Sequence, residues 1–517
     1  MSTLFRSSVV LWLAPFVGAA LSLAFAPFNW WPLGILCPAF LFLAWREASP
    51  RRAARLGFLF TAGTYLAGTY WLYYSIHGIG KAPIWLTLFV MFAMVAILSS
   101  YTAFVGYAMA RWLGPASASP PSPMLRYLAV FPAAWVILEW FRGWFLSGFP
   151  WLAVGYTHLD TPLAGLAPIG GVYTMSLAVA LCAGAAALLV IGPGRARIAA
   201  AAVMSGIWIA GFALDELVWT APSGAPATVA IVQGAIPQDR KWSEEYRDST
   251  IRLYYDLTAP YLGKDIIVWP EAALPVLAHE AMLYLEPLSA AAHARGSRLV
   301  AGLVRYESDN DEYYNGVVAL DHQPQWYYKR RLVPFGEFFP VPSFIRNWLK
   351  LMNLPYSDLT AGQDRQPALK VKNQKLGATI CYEDAYASEQ LEVLKEATLL
   401  VNVTNDAWFG DSTAAHQHLQ ISRMRALEAG RPLLRAANDG VSAIIGADGR
   451  VEVALPRFRP GVLTGVVQPR TGLTPYARVG NFPVVTLCTA ALLLSFAPLL
   501  SRRVRRRRAA SEPVVGP

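Results

Sequence analysis

The chain has 517 residues, of which 55% are hydrophobic and only 15% charged, and its formal net charge is +10. Soluble domains usually carry about a quarter charged residues, so this composition excludes an ordinary soluble protein and indicates a membrane protein. The positive charge does not indicate nucleic-acid binding, because six arginines cluster directly after an apolar segment, as is typical of a cytoplasmic membrane flank. They are Arg502, Arg503, Arg505, Arg506, Arg507 and Arg508.

The N-terminal part of the chain is a series of apolar segments, each long enough to cross a bilayer, which takes about 20 apolar residues. Residues 8–45 predict two helices joined by a turn at 27–32. A cleaved signal peptide is the alternative for the first of them, but the immediate second apolar run argues against cleavage. Together with this pair, the pattern predicts a bundle of about eight spans, the others lying near 56–76, 84–110, 127–146, 168–192, 198–214 and 481–500.

The arginines and lysines of the short loops predict the orientation of these spans. One side carries almost all of them, and the other side's short loops carry only Lys81. We therefore expect both termini in the cytoplasm and the region between the seventh and eighth spans outside, in the periplasm of a bacterial inner membrane. The predicted domains are a transmembrane bundle at 1–220, a periplasmic domain at 221–472, a transmembrane helix at 473–501 and a basic cytoplasmic tail at 502–517.

From Pro226 onwards, short β-rich runs alternate with helical ones. Continuous apolar strands between helices predict an α/β domain whose sheet is covered on its faces. The predicted strands are 228–232, 266–269, 299–304, 316–320, 326–329, 376–380, 399–403, 433–436, 442–445 and 462–467. The predicted helices are 246–262, 279–295, 388–396 and 416–429.

Three of these strands run directly into a chemically active residue: Glu271, Lys329 and Cys381. A carboxylate can take the proton of a thiol, and a fixed ammonium can stabilise both a thiolate and an oxyanion. Cys381 is also the only cysteine of the α/β region, so it has no disulfide partner there. The alternative for each residue alone is a buried core thiol or a solvated charge at a strand end.

The order Trp-Pro-Glu271, Lys329 and Cys381-Tyr-Glu383 resembles the carbon–nitrogen hydrolase (nitrilase) superfamily. Further phrases are similar to the apolipoprotein N-acyltransferase family, and the resemblance covers nearly the whole chain. These phrases are Pro-Phe-Gly-Glu-Phe at 334–338, Asn-Asp-Ala-Trp-Phe-Gly at 405–410 and the run from Gln417 to Glu428. The resemblance implies a nitrilase-like αββα sandwich with Glu271, Lys329 and Cys381 as its catalytic triad.

The resemblance also implies supporting roles. Glu337 matches another functionally important glutamate of the family, and we expect it to orient Lys329 or to share protons with Glu271. The backbone N–H of Tyr382 would help Lys329 to bind the oxyanion. Glu383 would secure the loop after the nucleophile by hydrogen bonds.

Access for lipid is predicted from apolar and aromatic residues. The segment from Phe338 to Met352 is long, apolar and interrupted by prolines, and it is either a mobile arm that dips into the membrane interface or a core helix with a turn. Candidate lipid-binding aromatics, which could equally be belt or packing residues, are Trp242, Trp408, Phe149 and Trp151. Glu139 and Arg142 lie within one predicted span, where charges are costly, and we expect a structural role for them.

These features predict an acyltransferase that acts at a bilayer. It would transfer an acyl chain from a glycerophospholipid to the N-terminal α-amine of an S-diacylglyceryl-cysteine apolipoprotein, through a thioester on Cys381. No metal and no organic cofactor are expected, since His416 and His418 are too few for a metal site; we expect a monomer that binds no nucleic acid. The alternatives are a membrane-tethered nitrilase-like amidohydrolase, and a transporter or membrane scaffold without catalysis.

Overall fold

A computed structural model describes residues 8–114, 117, 120–334, 336–338 and 359–511, with side chains described as far as 497. Contacts within the chain define two compact units. We call the first the helical unit: it holds the chain up to Tyr73, Pro83–Leu217 and the chain from Asn481 onwards. The second, the sandwich unit, holds Tyr74–Ala82 and Val218–Gly480. The predicted arm between Phe338 and Met352 lies, beyond its first residue, outside the described residues.

The helical unit consists of apolar helices connected by short turns. The chain returns to this unit at its end, in the helix Phe482–Ser511. The preceding helices are α1 (Ser8–Leu21), α2 (Pro32–Trp45), α3 (Pro50–Gly68), α4 (Ile84–Leu113), α5 (Phe131–Arg142), α6 (Ala167–Ile191) and α7 (Gly194–Asp215).

Within the described residues, four helical segments are long and apolar enough to cross a membrane: Ile84–Leu113, Pro123–Arg142, Pro162–Ile191 and Gly194–Asp215. Three further apolar helices are shorter, at Ser8–Ala24, Pro32–Trp45 and Phe482–Ala497. An α-helix rises about 1.5 Å per residue, so the first two of these are shorter than a hydrocarbon core of about 30 Å, whereas the third is the beginning of the longer helix Phe482–Ser511. The finer expectation of about eight spans therefore stays a prediction.

Glu139 and Arg142 lie buried at the end of α5. Both form hydrogen bonds to the loop that follows this helix, and Glu139 also bonds to α6. The Glu139 carboxylate accepts from Trp135 Nε1 at 2.8 Å, from the backbone N–H of Val154 at 2.9 Å and from Ser176 Oγ at 2.6 Å. Arg142 donates to the carbonyl of Trp151 at 2.6 Å. Both charged residues thus fix the loop 143–158.

The sandwich unit contains two six-stranded sheets in its described residues. The order in the first sheet is β13-β2-β3-β4-β5-β6, and in the second β12-β11-β10-β9-β8-β7. The strands of the first are β2 (Ala227–Gln233), β3 (Ile266–Val268), β4 (Arg298–Glu307), β5 (Glu312–Leu320), β6 (Pro324–Tyr328) and β13 (Gly461–Val467). Those of the second are β7 (Leu369–Val371), β8 (Gln374–Ile380), β9 (Leu399–Thr404), β10 (Leu433–Ala437), β11 (Ala443–Ile445) and β12 (Val451–Ala454). A small separate pair joins β1 (Ala221–Pro222) to β14 (Arg470–Thr471).

The two sheets pack face to face and each outer face is covered by helices, which makes four layers. Between the sheets, side chains of both form one core, to which Val229, Val317, Leu376 and Val403 contribute. The outer face of the first sheet packs on α8 (Glu244–Thr258) and α9 (Ala278–Ala294). The second sheet packs on α10 (Ala414–Ala429). Because both faces of each sheet are buried, the central strands read as continuous apolar runs.

Each predicted strand is present in the structure, with ends that differ by a few residues. The predicted helix 388–396 is wrong: this stretch forms two short 3₁₀ turns, Ala387–Glu389 and Val393–Lys395. Only Gln390 and Leu394 are buried within it, and so few buried positions do not stabilise an amphipathic helix. The residues Tyr74–Ala82 belong to the sandwich unit, where Ser75 Oγ donates to the carbonyl of Trp408 at 2.8 Å.

Candidate active site

The site lies where several strands of both sheets end. In the first sheet β2 and β3 are parallel, and in the second β8, β9 and β10 are parallel. The carboxyl ends of parallel strands meet at one edge of a sheet, where loop residues can point into a shared cleft. Glu271 follows β3, Cys381 follows β8, and Lys329 follows β6.

Cys381 is held in an unusual backbone conformation at the end of β8. Its φ is +50°, in the left-handed region that residues with a side chain rarely occupy. The turn Cys381–Ala385 follows directly, and Cys381 itself is buried. Strain of this kind persists only where surrounding contacts fix it, and it is common where a side chain must be aimed at a substrate.

Lys329 is buried between two carboxylates. Its Nζ lies 2.7 Å from Glu337 Oε1 and 3.4 Å from Glu271 Oε1, while its side chain is 1% exposed. Burial alone would lower the pKa of this ammonium, but Glu337 and Glu271 outweigh that effect and raise the pKa above its usual value. Lys329 is therefore a permanent cation in the site.

Asn315 joins the same three charged groups, and sequence reasoning missed it. Its Nδ2 donates to Glu271 Oε1 at 2.7 Å and to Glu337 Oε1 at 3.3 Å. Its main-chain carbonyl accepts from the backbone N–H of Lys329 at 2.8 Å. A buried amide in the apolar strand β5 was the available signal, because buried polar side chains in strands are normally there for a partner.

The thiol of Cys381 is protonated in the resting site. Burial raises its pKa to about 12; the negative charge of Glu271 raises it further, and the positive charge of Lys329 opposes both. A thiol in this state is a weak nucleophile, since the thiolate is the reactive form. The arrangement can therefore act only if a base removes the proton during attack, and Glu271 is the carboxylate that acts most strongly on the thiol.

Glu383 links the loop after Cys381 to the loop that carries Lys329. Its Oε1 accepts from the backbone N–H of Arg330 at 2.6 Å, and its Oε2 accepts from Tyr327 Oη at 2.9 Å and from the N–H of Ile380 at 2.8 Å. Burial raises the pKa of Glu383, and the surrounding donors oppose that rise. The residue fixes the distance between nucleophile and lysine.

The structure divides the candidate aromatic residues between the two units. Trp242 and Trp408 are in the sandwich unit and partly exposed, at 50% and 39%. Tyr382 is half-buried and contacts the ring of Tyr386 edge-on. Phe149 and Trp151 are in the helical unit, where their rings stack with centroids 6.4 Å apart and Trp151 is buried.

Two further groups near the triad were missed by sequence reasoning. Lys241 is buried beside the exposed Trp242, and its Nζ donates to the main-chain carbonyl of Glu271 at 3.0 Å. His418 is buried on α10, and its Nε2 lies 3.1 Å from the main-chain carbonyl of Cys381. The sequence could not assign this contact, since a histidine on a helix gives no sign of which strand end it contacts.

The chain is similar to known proteins over nearly its whole length. Residues 17–185 match the family described as apolipoprotein N-acyltransferase N-terminal domain, and residues 228–476 match carbon-nitrogen hydrolase. The apolipoprotein N-acyltransferase of Methylococcus capsulatus is 42% identical over 499 residues, which is 96% of each chain. That of Azotobacter vinelandii is 42% identical over 512 residues, 97% of each chain. A solved structure from Xanthomonas campestris, the CN-hydrolase superfamily protein XC1258, is 17% identical and covers 51% of this chain and 97% of its own, with a TM-score of 0.35.

Matches that cover 96% and 97% of this chain include both of its units. An identity of about two residues in five over nearly the full length of both chains cannot arise from the sandwich domain alone. This chain therefore belongs to the apolipoprotein N-acyltransferase family.

Proposed function

We propose that this membrane protein transfers an acyl chain from a glycerophospholipid to the N-terminal α-amine of an S-diacylglyceryl-cysteine apolipoprotein. The observation that carries the proposal is the buried cluster of Glu271, Lys329 and Glu337 next to a strained, protonated Cys381. This cluster supplies a nucleophile, a base and a fixed cation, which acyl transfer through a thioester requires. The names of the relatives, and the apolar helical unit attached to the site, support a lipid donor and a lipoprotein acceptor.

In the first half-reaction Cys381 Sγ attacks the ester carbonyl of the phospholipid while Glu271 takes the thiol proton. Negative charge develops on the carbonyl oxygen, and Lys329 together with the backbone N–H of Tyr382 stabilises it. The tetrahedral intermediate collapses to a thioester, the C–O bond of the ester breaks, and Glu271 returns the proton to the departing lysophospholipid oxygen.

In the second half-reaction the α-amine of the apolipoprotein attacks the thioester. Glu271 takes a proton from the attacking nitrogen, and the same donors stabilise the second oxyanion. The C–S bond then breaks, the thiolate of Cys381 regains its proton from Glu271, and an amide leaves. Donor and acceptor therefore react in turn at one thiol, which is a ping-pong mechanism.

In this proposal the predicted domain 221–472 lies in the periplasm, and both termini lie in the cytoplasm. The sequence distribution of arginine and lysine supports this topology, because short cytoplasmic loops carry the excess of both. Trp242, Trp408, Phe149 and Trp151 are the proposed contacts for lipid chains. The proposed enzyme acts as a monomer, without cofactor and without nucleic acid.

The decisive test uses the purified full chain in detergent with a phospholipid whose sn-1 acyl chain is labelled. Without acceptor, intact mass should show an acyl-sized adduct that hydroxylamine removes, and Cys381→Ser should show none. Addition of a diacylated lipopeptide should discharge the label into an amide. Release of free fatty acid without an amide would instead indicate a hydrolase. Absence of any adduct on folded protein would refute the proposal.

A further inference from the structure

A buried charge cluster lies behind the nucleophile, on the side formed by the second sheet and α10. His418 Nδ1 lies 2.9 Å from Asp406 Oδ1, and His418 Nε2 lies 3.1 Å from the main-chain carbonyl oxygen of Cys381. Both side chains are almost fully buried, at 1% and 0% exposure. The mechanism above uses neither of them.

The partners of His418 determine its protonation state. A main-chain carbonyl can only accept a hydrogen bond, so Nε2 must carry a proton. Asp406 is ionised: burial favours its neutral form, but His418 and Arg435 outweigh that and hold the pKa of this carboxyl well below its usual range. An ionised carboxylate also only accepts, so Nδ1 must carry a proton as well. Both ring nitrogens of His418 thus face hydrogen-bond acceptors, and this geometry favours the imidazolium.

The rest of the cluster neutralises that positive charge. Arg435 donates to Asp406 Oδ2 at 2.9 Å, and its guanidinium lies 3.8 Å from Asp384 Oδ2. Asp384 accepts in addition from Thr379 Oγ1 and Ser422 Oγ. The two cations and two carboxylates balance, which allows four buried charges to persist behind the site.

The Cys381 carbonyl belongs to the same peptide group as the Tyr382 N–H. A charge-assisted hydrogen bond to the carbonyl draws electrons toward oxygen, and it makes the N–H of that peptide a stronger donor. The same bond also restrains the plane of the peptide at a residue whose φ is +50°. Any acceptor that hydrogen-bonds to the Tyr382 N–H is therefore bound more strongly when His418 is an imidazolium.

We propose that His418, held by Asp406, is a positioning residue that strengthens oxyanion binding through the Cys381–Tyr382 peptide. This inference rests on the proposed function, because it needs an oxyanion at the Tyr382 N–H. It predicts that His418 affects acyl transfer without affecting the reactivity of the thiol in a reaction that forms no oxyanion.

Two variants separate the contributions. In His418→Gln the side-chain amide nitrogen can reach the former Nε2 position and donate to the Cys381 carbonyl without charge. In His418→Asn the shorter amide reaches only the former Nδ1 position and loses the carbonyl. His416→Gln is the matched control, since it lies two residues earlier on α10 and so about 200° around the helix.

The experiment measures two rate constants for each full-length variant in detergent: thioester formation from labelled phospholipid, and alkylation of Cys381 by iodoacetamide. Alkylation displaces iodide at a carbon and passes through no oxyanion. We expect His418→Asn to form thioester about 100-fold more slowly than wild type, and His418→Gln about tenfold more slowly, by comparison with the loss of a direct oxyanion donor. Alkylation should stay within about twofold of wild type, and His416→Gln should match wild type in both.

The outcomes are distinguishable. If wild type forms no thioester, the proposed function fails. If wild type forms thioester and His418→Asn matches its rate, the inference about His418 fails while the proposed function stands. It also fails if acylation and alkylation fall together in both variants at an unchanged melting temperature, since His418 would then act on the thiol itself. In wild type, ¹⁵N spectra of labelled histidine should show one ring with both nitrogens protonated at pH 7.5; a neutral ring at His418, assigned by its loss in His418→Gln, would overturn the inference.

Discussion

Two buried lysines contact Glu271 in different ways: Lys329 meets its side chain and Lys241 its main chain. Lys329 contacts the Glu271 carboxylate and also Glu337, and its pKa is raised. Lys241 donates to the main-chain carbonyl of Glu271; burial lowers its pKa to about 8, and the more distant charges of Glu271 and Asp439 oppose that effect. Both side chains are at most 2% exposed.

The difference shows that burial does not decide whether a lysine is charged in this site. Direct contact with carboxylates decides it, because a Coulomb interaction at hydrogen-bond distance offsets the cost of leaving water. A main-chain carbonyl carries only a partial charge, so it does not offset the cost of taking the ammonium out of water. Of these two lysines, Lys329 therefore stays charged and Lys241 is close to losing its proton.

Lys329→Met should cause the largest change in activity. It removes the cation that the developing oxyanion needs, and it leaves two carboxylates that repel each other. We expect thioester formation to fall about 10³-fold, as measured by labelled-phospholipid acylation. Lys375→Met is the control, because Lys375 pairs with Glu396 at the exposed surface and should leave the rate unchanged. A rate within tenfold of wild type would mean that Lys329 is not the fixed cation.

Glu337→Gln should cause an intermediate change. The amide keeps the shape of the side chain but turns the 2.7 Å ion pair with Lys329 into a neutral contact, so acylation should fall about 10- to 100-fold. Glu337 raises the pKa of Lys329, so its loss lowers that pKa. Activity should therefore decline at a lower pH on the alkaline side than in wild type.

The pH dependence of acylation between about 7 and 10 checks this shift, since the raised pKa of Lys329 predicts no decline from this residue in wild type over that range. Glu392→Gln is a suitable control, since Glu392 pairs with Lys395 at the exposed surface. If the acylation rate of Glu337→Gln declines no earlier than that of wild type as pH rises, Glu271 alone keeps Lys329 charged.

Lys241→Met tests the second lysine of the comparison. It should lower the acylation rate by less than about tenfold, since the charge of Lys241 contacts no reacting group.

The effect of Lys241→Met on stability should be clearer than its effect on activity. The folded pKa of about 8 lies below the usual 10.5, so the unfolded chain binds more protons between these values and wild-type stability rises with pH there. The variant should lose that rise, as seen in melting temperatures in detergent from pH 7 to 10.

A loss in Lys241→Met as large as that in Lys329→Met would break the comparison, because it would make Lys241 a second catalytic cation. An unchanged rise of stability between pH 8 and 10.5 in the variant would show that some other group is responsible for it. Either result can be read on the same protein preparation.

The strand ends that carry the triad could be predicted because each strand is a continuous apolar run with a chemical residue directly after it. β7 and β12 could not be predicted: β7 has only three residues, although Leu369 and Val371 are buried in the core, and β12 is exposed at each position, so it has no buried face. The αββα order itself came from the resemblance, since apolar runs do not state which sheet a strand joins.

Asn315, Lys241 and His418 could not be predicted for a common reason. Their role depends on which elements pair in three dimensions. Asn315 meets Lys329 because Gly316 of β5 pairs with Tyr328 of β6, so the next residues along each strand lie opposite one another. Similarly, His418 meets Cys381 only because α10 packs on the sheet that contains β8.

Asp439→Asn should give the smallest effect on activity. It tests whether burial shifts the pKa of a carboxylate toward its neutral form, as it does for Lys241, when no cation is in direct contact. Asp439 is 6% exposed and its Oδ1 has no hydrogen-bond partner in the described part of the chain. Burial raises its pKa to about 6, and the charge of Asp406 adds to the rise. The folded chain therefore binds more protons than the unfolded chain between about pH 4 and 6, and this group makes wild-type stability fall as pH rises through that window.

The amide removes the buried charge, so the variant should be more stable than wild type by about 1–2 kcal/mol at pH 7 and equal to it near pH 4. Melting temperatures across this range would show the two curves diverging as pH rises, while Asp309→Asn, at an exposed turn, should follow wild type throughout. A variant that is less stable at pH 7 would mean that the Asp439 carboxylate has a stabilising cationic partner, either Arg457 or Lys241, whose charges both lower its pKa. If that partner is Lys241, Asp439 and Lys241 form an ion pair. Lys241 then differs from Lys329 only in its distance from the nearest carboxylate.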